Sequence, residues 1–249
     1  MEQKENLDHY DKAYETEFKY NDENAWFLTR YANYMKDAIQ ANNYKSIVSL
    51  GIGHHIVSDI LSSELNDGLE KYEILEGSKS LIDKFEISSN HKNRLSLTHT
   101  YFEDFDTNEK YDVIEMGFVL EHVDDPALII QKFKEFLAPN GKMFISVPNA
   151  RSLHRQIGFE AGLMESMYQL SDYDRQLGHK RYFDLDQLSK MVIDADLQID
   201  NTIGLLLKPI TAGQIKQLNW DKNIVDALVK LGDQYPDLSN CFLIEASIK

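Results

Sequence analysis

The hydrophobic period along this chain switches repeatedly between two and about 3.6, and that alternation limits the possible folds more than any other feature. Ser46-Ile47-Val48-Ser49-Leu50 is a short β-branched run halted by Gly51 and Gly53, after which Ile56, Val57, Ile60, Leu61 and Leu65 recur at helical spacing. Tyr72 to Leu75 predicts a second strand, Glu76-Gly77-Ser78 a turn, and Leu81, Ile82 and Phe85 one face of a helix. Leu95 to Thr100 and Tyr111 to Met116 predict two more strands, and Ala127 to Leu137 a helix stopped by Pro139-Asn140-Gly141. Lys142 to Val147 then predicts a fifth strand. Parallel crossovers need a covering element, so this order implies an α/β fold. The expected form is a doubly wound, seven-stranded, mostly parallel sheet with helices on both faces.

Around this centre lie an aromatic-rich arm, a helix over Glu23 to Asn42, and a charged stretch from Asn149 to Tyr182 that is long for a simple connection. We read that stretch as a helical cap. A helix over Leu185 to Ala195, a strand over Leu197 to Ile203, helical stretches from Ala212 to Leu231 and a strand over Cys241 to Ile248 complete the pattern.

The 249 residues, 43% of them hydrophobic, suffice for one sizeable core. A net charge of -15 opposes binding that works by neutralising phosphates, so neither nucleic acid nor an anionic membrane is an expected partner. Cys241 is the single cysteine, which rules out an intrachain disulfide and a thiolate metal cluster. The polar start Met1-Glu2-Gln3-Lys4-Glu5-Asn6 and the lack of a run near 18 apolar residues lead us to expect a cytoplasmic location. Oligomeric state is left open.

Ligands of open α/β sheets sit beyond the carboxyl ends of the strands, so the residues after the first four strands should meet in one crevice. Gly51 and Gly53 allow a sharp turn and a close approach of backbone to ligand, although such a pair is more often an ordinary tight turn. Glu76 ends the second strand about two dozen residues later, the spacing at which a carboxylate takes both hydroxyls of an adenosine ribose.

The segments from Ser46-Ile-Val-Ser-Leu-Gly51-Ile-Gly53 through Tyr72-Glu-Ile-Leu-Glu76-Gly-Ser and Tyr101-Phe102-Glu103-Asp104 resemble the class I, Rossmann-like S-adenosylmethionine-dependent methyltransferases, in their small-molecule and sugar-type branch. Tyr111 to Pro126, with Leu120-Glu121-His122, and Leu137 to Asn149, with Pro139-Asn140-Gly141, carry the most specific part of the resemblance. A dehydrogenase would be expected to show a third glycine and lacks the latter two segments. The resemblance implies S-adenosyl-L-methionine as cofactor, held by Gly51, Gly53, Glu76, Gly77, Ser78, Phe102, Glu103, Gly117 and Phe118. It also implies one domain over 1–249, with an arm and helix at 1–45, a cofactor-binding half at 46–148, a cap at 149–183 and C-terminal helices and strands at 184–249.

Two positions depart from the family. The residue two before the first glycine is usually acidic there and helps hold the methionyl ammonium, whereas here it is Ser49; and His55 stands where a third glycine is usual. Both bear on cofactor affinity.

Methyl transfer from a sulfonium is an in-line displacement, so the protein must align the acceptor and, for a hydroxyl, take its proton. His122, after the fourth strand, and His179 are the candidate catalytic bases, with a loop-orienting role as the alternative for Glu121-His122. Arg181, Tyr182, His154 and Tyr14 are the candidate acceptor contacts, with Arg155 and Tyr10 weaker ones; solvated loop charge is the alternative for the 178–183 loop. Some relatives read Glu-x-x-Glu-His at the fourth-strand turn and bind a divalent cation. Phe118 replaces the first Glu here, so no metal is expected despite Glu121, His122 and His179. The expected activity is methyl transfer to an oxygen or nitrogen of a small polar metabolite, with a sugar, nucleotide-sugar or surface-glycan precursor preferred. The competing expectation is a non-catalytic binding or scaffold module with an altered cofactor loop.

Overall fold

The computed structural model describes Leu7, residues 21–87, His91 and residues 93–249. Among them run α1 (Asn21–Asn42), β1 (Ser46–Leu50), α2 (His55–Ser63), β2 (Lys71–Glu76), α3 (Lys79–Lys84), β3 (Leu95–His99), β4 (Tyr111–Gly117), α4 (Pro126–Lys134) and β5 (Leu137–Pro148). Then follow α5 (Leu153–Glu160), α6 (Asp172–Gln176), α7 (Leu185–Asp194), β6 (Leu197–Gly204), α8 (Ala212–Leu218), α9 (Lys222–Gly232) and β7 (Cys241–Ile248). The strands form one seven-stranded sheet in the order β3-β2-β1-β4-β5-β7-β6. β7 runs antiparallel to β5 and β6, and the pairings among β1 to β5 are parallel. The expected α/β sheet is therefore the observed one.

Successive strand residues feed opposite faces, as the period of two requires. Val48, Leu50, Ile114 and Met116 pack with Ile129 and Phe133 of α4 and Leu188 and Val192 of α7. Ile47, Tyr72, Val113 and Phe144 pack with Tyr31 and Met35 of α1 and Leu61 of α2. No helix among the described residues is long and apolar enough to cross a membrane.

The largest departure from the sequence expectation is at the junction of α4 and β5. The helix predicted to reach Leu137 ends at Lys134, and Leu137 already belongs to β5, which continues through Pro139-Asn140-Gly141. The ladder shows why: Tyr111 pairs with Leu137 and Val113 with Lys142, so β5 bulges against β4. A Cβ at Gly141 would stand 2.8 Å from the Asp112 carbonyl oxygen, which leaves glycine as the residue that fits the bulge.

Candidate active site

Beyond the carboxyl ends of β1 and β4 lies a cavity of about 530 Å³. Its floor is the turn after β1. Gly51 and Gly53 have φ of +84° and +56°, and a Cβ at Gly53 would meet nothing within 4 Å, so the turn offers bare backbone to the space above it. The Gly51 N–H donates to the Leu75 carbonyl at 2.7 Å and the Ile52 N–H to Glu76 Oε2 at 3.0 Å, which ties the turn to the end of β2. Glu76 Oε1 also accepts from the Ser78 N–H at 2.7 Å. Burial pushes the Glu76 carboxyl up, and these amide donors pull the other way. Ser78 caps α3 by accepting from the Leu81 N–H at 3.3 Å.

At the start of α2, His54 accepts from the Ile56 N–H at 3.3 Å and faces the cavity, whereas His55 is exposed. The side chain that narrows this end is thus His54. Burial, with His55 beside it, lowers the His54 pKa to about 4, so its ring is neutral at physiological pH.

The wall above β4 is acidic and aromatic. Glu115 accepts from the Tyr31 hydroxyl at 2.7 Å and the Gly117 N–H at 2.8 Å, and burial pushes its carboxyl up to about 7. Phe118 adopts a left-handed φ of +60°, with its ring 5.2 Å from that of Phe27. Further along the loop, Glu121 is 1% exposed, and neither carboxylate oxygen has a hydrogen-bond partner on another described residue. Burial raises its carboxyl to about 7. The His122 and His179 rings meet edge to face at 4.7 Å. Ligating atoms of Glu121, His122 and His179 all lie within 4.8 Å of one another. Burial and neighbouring His179 lower the His122 pKa to about 3, against a hydrogen bond to the Gly178 backbone. His179 Nδ1 lies 3.5 Å from Asp174 Oδ1, and Asp174 also accepts from the Tyr182 hydroxyl at 3.0 Å and from Ser171. Burial pushes the Asp174 carboxyl up, but these partners hold it below the usual carboxylate range.

The segment from α5 to Tyr182 forms the far wall. Arg155 lies 4.0 Å over the Tyr182 ring and donates to the carbonyls of Met167 and Gln169 at 2.8 and 2.6 Å. Gly158, Leu163, Met164 and Leu177 line the same side, and Phe27 and Leu28 line the cavity from α1. At one end the buried pair Lys208 and Glu23 meets at 2.5 Å beside His154.

Of the residues singled out in the sequence, Gly51, Gly53, Gly117, Phe118, His122, His154, His179 and Tyr182 share this one cavity. Glu76, Gly77, Ser78, Phe102 and Glu103 do not line it, and Glu76 reaches it through the amide of Ile52. Phe102 packs on the α4 and α7 core, and the Glu103 carbonyl accepts from Lys132. Arg181 also lies off the cavity, donating to the carbonyls of Val123 and Asp124 at 2.8 and 3.1 Å. Tyr10 and Tyr14 lie outside the described residues. Arg155, a weaker candidate in the sequence, lines the cavity as well, whereas Glu115, Tyr31 and Asp174 were not singled out, although a glutamate inside the apolar run of β4 is itself an unusual buried charge.

A sheet of this order, with its antiparallel seventh strand and a cavity at the β1 and β4 ends, is the fold of class I S-adenosylmethionine-dependent methyltransferases. The chain belongs to the family described as Methyltransferase domain, which residues 19–202 match. It is 30% identical over 122 residues to a ubiquinone biosynthesis O-methyltransferase of Psychrobacter cryohalolentis, a match covering 49% of this chain and 46% of that protein. A protein of the same name from Haemophilus ducreyi is 29% identical over 127 residues, covering 47% of this chain and 51% of that one. The chain thus matches about half the length of these relatives. Among solved structures, the N-methyltransferase NodS of Bradyrhizobium japonicum WM9, in complex with S-adenosyl-L-homocysteine, superposes with a TM-score of 0.60. That superposition covers 96% of this chain and 97% of NodS at 12% identity, a likeness of fold.

Proposed function

We propose that the protein transfers a methyl group from S-adenosyl-L-methionine to a hydroxyl oxygen of a small, largely apolar acceptor. The observation that carries this reading is the single cavity joining the bare Gly51 and Gly53 turn to Glu121, His122 and His179. In this reading the turn and Gly117 pass close to the cofactor, and Glu76, held by the amides of Ile52, Gly77 and Ser78, serves its ribose with the acceptor capacity that remains. Bound cofactor supplies an electrophilic methyl whose bond to sulfur breaks as the acceptor oxygen attacks, with the electron pair returning to sulfur. His179 takes the acceptor's proton on Nε2 while Asp174 faces Nδ1. Tyr182 and His154 lie along the acceptor's side, and 149–183 acts as the cap of a single domain.

Leu163, Met164, Leu177, Phe27 and Leu28 would leave most hydroxyls of a sugar without partners, which favours an apolar acceptor over the sugar expected from the sequence. The curated relatives, named O-methyltransferases, support oxygen over nitrogen. Calorimetric titration with S-adenosylmethionine tests the cofactor step, and absence of binding near a millimolar would favour the non-catalytic reading. His179→Ala is expected to lower turnover by about a hundredfold or more with cofactor affinity unchanged.

The Glu121 carboxylate supports a second reading of the same cluster. A buried carboxylate without a hydrogen-bond partner on another described residue, facing two imidazoles, is the donor set of a divalent cation. The outer contacts suit it as well, because His122 bonds the Gly178 backbone and His179 faces Asp174. Such a cation would lower the acceptor hydroxyl's pKa. This departs from the metal-free expectation, which rests on Phe118. Turnover that falls on chelation and returns with added Mg²⁺, Mn²⁺ or Zn²⁺, together with metal bound by the wild type and lost in Glu121→Gln, is the expected result. Unchanged turnover in chelator would leave His179 as a metal-free base.

A further inference from the structure

Glu115 presents a carboxylate, 5% exposed, inside a β-strand and facing the cavity. Its neighbours are neutral: the Tyr31 phenol from α1, the Gly117 N–H and the Ser49 hydroxyl, with the Tyr72 phenol of β2 behind Ser49 at 3.1 Å. Burial pushes both phenols upward, so neither is charged near neutrality. No Lys, Arg or His among the described residues acts on Glu115. A buried carboxylate with no cation is costly, and proteins keep such groups where a partner arrives from outside. The surroundings are also shaped around this side chain, since a Cβ at Gly117 would stand 2.4 Å from Glu115 Oε1 and 2.6 Å from Tyr31 Cε1.

The position on the sheet identifies the partner. Glu115 pairs directly with Ser49 across the β1–β4 ladder, one residue before the strand end that leads into Gly51. Ser49 stands where the resemblance to the methyltransferases leads one to expect an acid that assists the methionyl ammonium. We propose that Glu115 is the anion that binds the α-ammonium of S-adenosylmethionine, moving the charge from β1 to the adjacent position on β4. The Tyr31 and Gly117 donors both end on Oε1, and Oε2 keeps capacity for a donor from the cavity. Tyr31 acts as a positioning residue that holds the carboxylate toward the turn.

This inference rests on the cofactor reading above, and the test separates the two. Glu115→Gln keeps the size of the side chain and an acceptor oxygen for Tyr31 and Gly117. Calorimetry on wild type and variant would use S-adenosylmethionine, S-adenosylhomocysteine and 5′-methylthioadenosine, the last lacking the amino acid end. The expected result is a loss of about tenfold or more for the first two ligands, with methylthioadenosine unchanged. Ser49→Asp in the Glu115→Gln background should recover part of the loss. Equal weakening for all three ligands would overturn the assignment by making Glu115 merely structural. Unchanged affinity for all three, or slower turnover at unchanged affinity, would overturn it too. A wild-type protein that binds none of the three would refute the cofactor reading, and this assignment with it.

Discussion

Glu115 shows how much a single side chain's setting can differ from its appearance in the sequence. In the folded chain burial lifts its carboxyl from 4.5 to about 7. Between those values the native state holds a proton that the unfolded chain has released, so stability must fall as pH rises through this window, by up to about 3 kcal/mol. Urea midpoints at pH 5 and 7.5 should therefore diverge more in the wild type than in Glu115→Gln. Glu121, also raised to about 7, shifts in the same direction in both proteins and cancels from the comparison. An ammonium ligand selects the ionised carboxylate, so wild-type affinity for S-adenosylmethionine should weaken below pH 7 and that of the variant should not. A pH slope shared by wild type and variant would contradict this. Sequence reading identifies Gly51, Gly53, His122 and His179 because short spacing and turn chemistry mark them. Glu115 escapes it because its partner Tyr31 lies 84 positions away, and only pairing across the sheet brings Ser49 beside it.

Elements were legible wherever a local period decided them. β1 and β7 run over the predicted residues, and α7 and β6 lie within one residue of theirs. The α4–β5 junction was not, because Pro139-Asn140-Gly141 signals a stop in isolation, whereas pairing with β4 carries the strand through it as a bulge. The 149–183 stretch has a related difficulty: its helices α5 and α6 are short, and its shape depends on side chains bonding to distant carbonyls. Arg155 is the clearest case. It is buried, holds the carbonyls of Met167 and Gln169, and packs on Tyr182, so one side chain joins α5 to the loop before α6 and to the ring beside His179. Arg155→Ala removes two charge-assisted bonds and a cation–π contact, each worth about 1 kcal/mol or more. The expected phenotype is a KM for the acceptor raised about tenfold or more, with cofactor affinity within about twofold of wild type. An equal loss of cofactor affinity would mean that this segment supports the whole cavity and not the acceptor's side alone.

Across the whole molecule, a net charge of -15 makes the compact state repel itself, and the few cations placed inside it matter accordingly. Lys208 is one of them, 6% exposed and paired with Glu23 of α1, which also accepts from Asn240 beside β7 at 3.0 Å. The pair joins the first described helix to the segment after β6 and to the start of the last strand, a link between distant parts of the chain that no local pattern reveals. Buried pairs add little net stability over a well-packed apolar replacement, but breaking one by removing a single partner leaves a charge stranded. Lys208→Met should therefore lower the stability of the folded protein by about 3–5 kcal/mol, because Glu23 would remain buried with one carboxylate oxygen already unpartnered among the described residues. Glu23→Leu combined with Lys208→Met should recover most of that loss, since the stranded charge goes with its partner. Urea unfolding of the single and double variants at pH 7.5 separates the two effects. A double variant as unstable as the single one would show that the ends of the chain are held by the geometry of the ion pair, whereas recovery would show that the cost lies in the stranded carboxylate of Glu23.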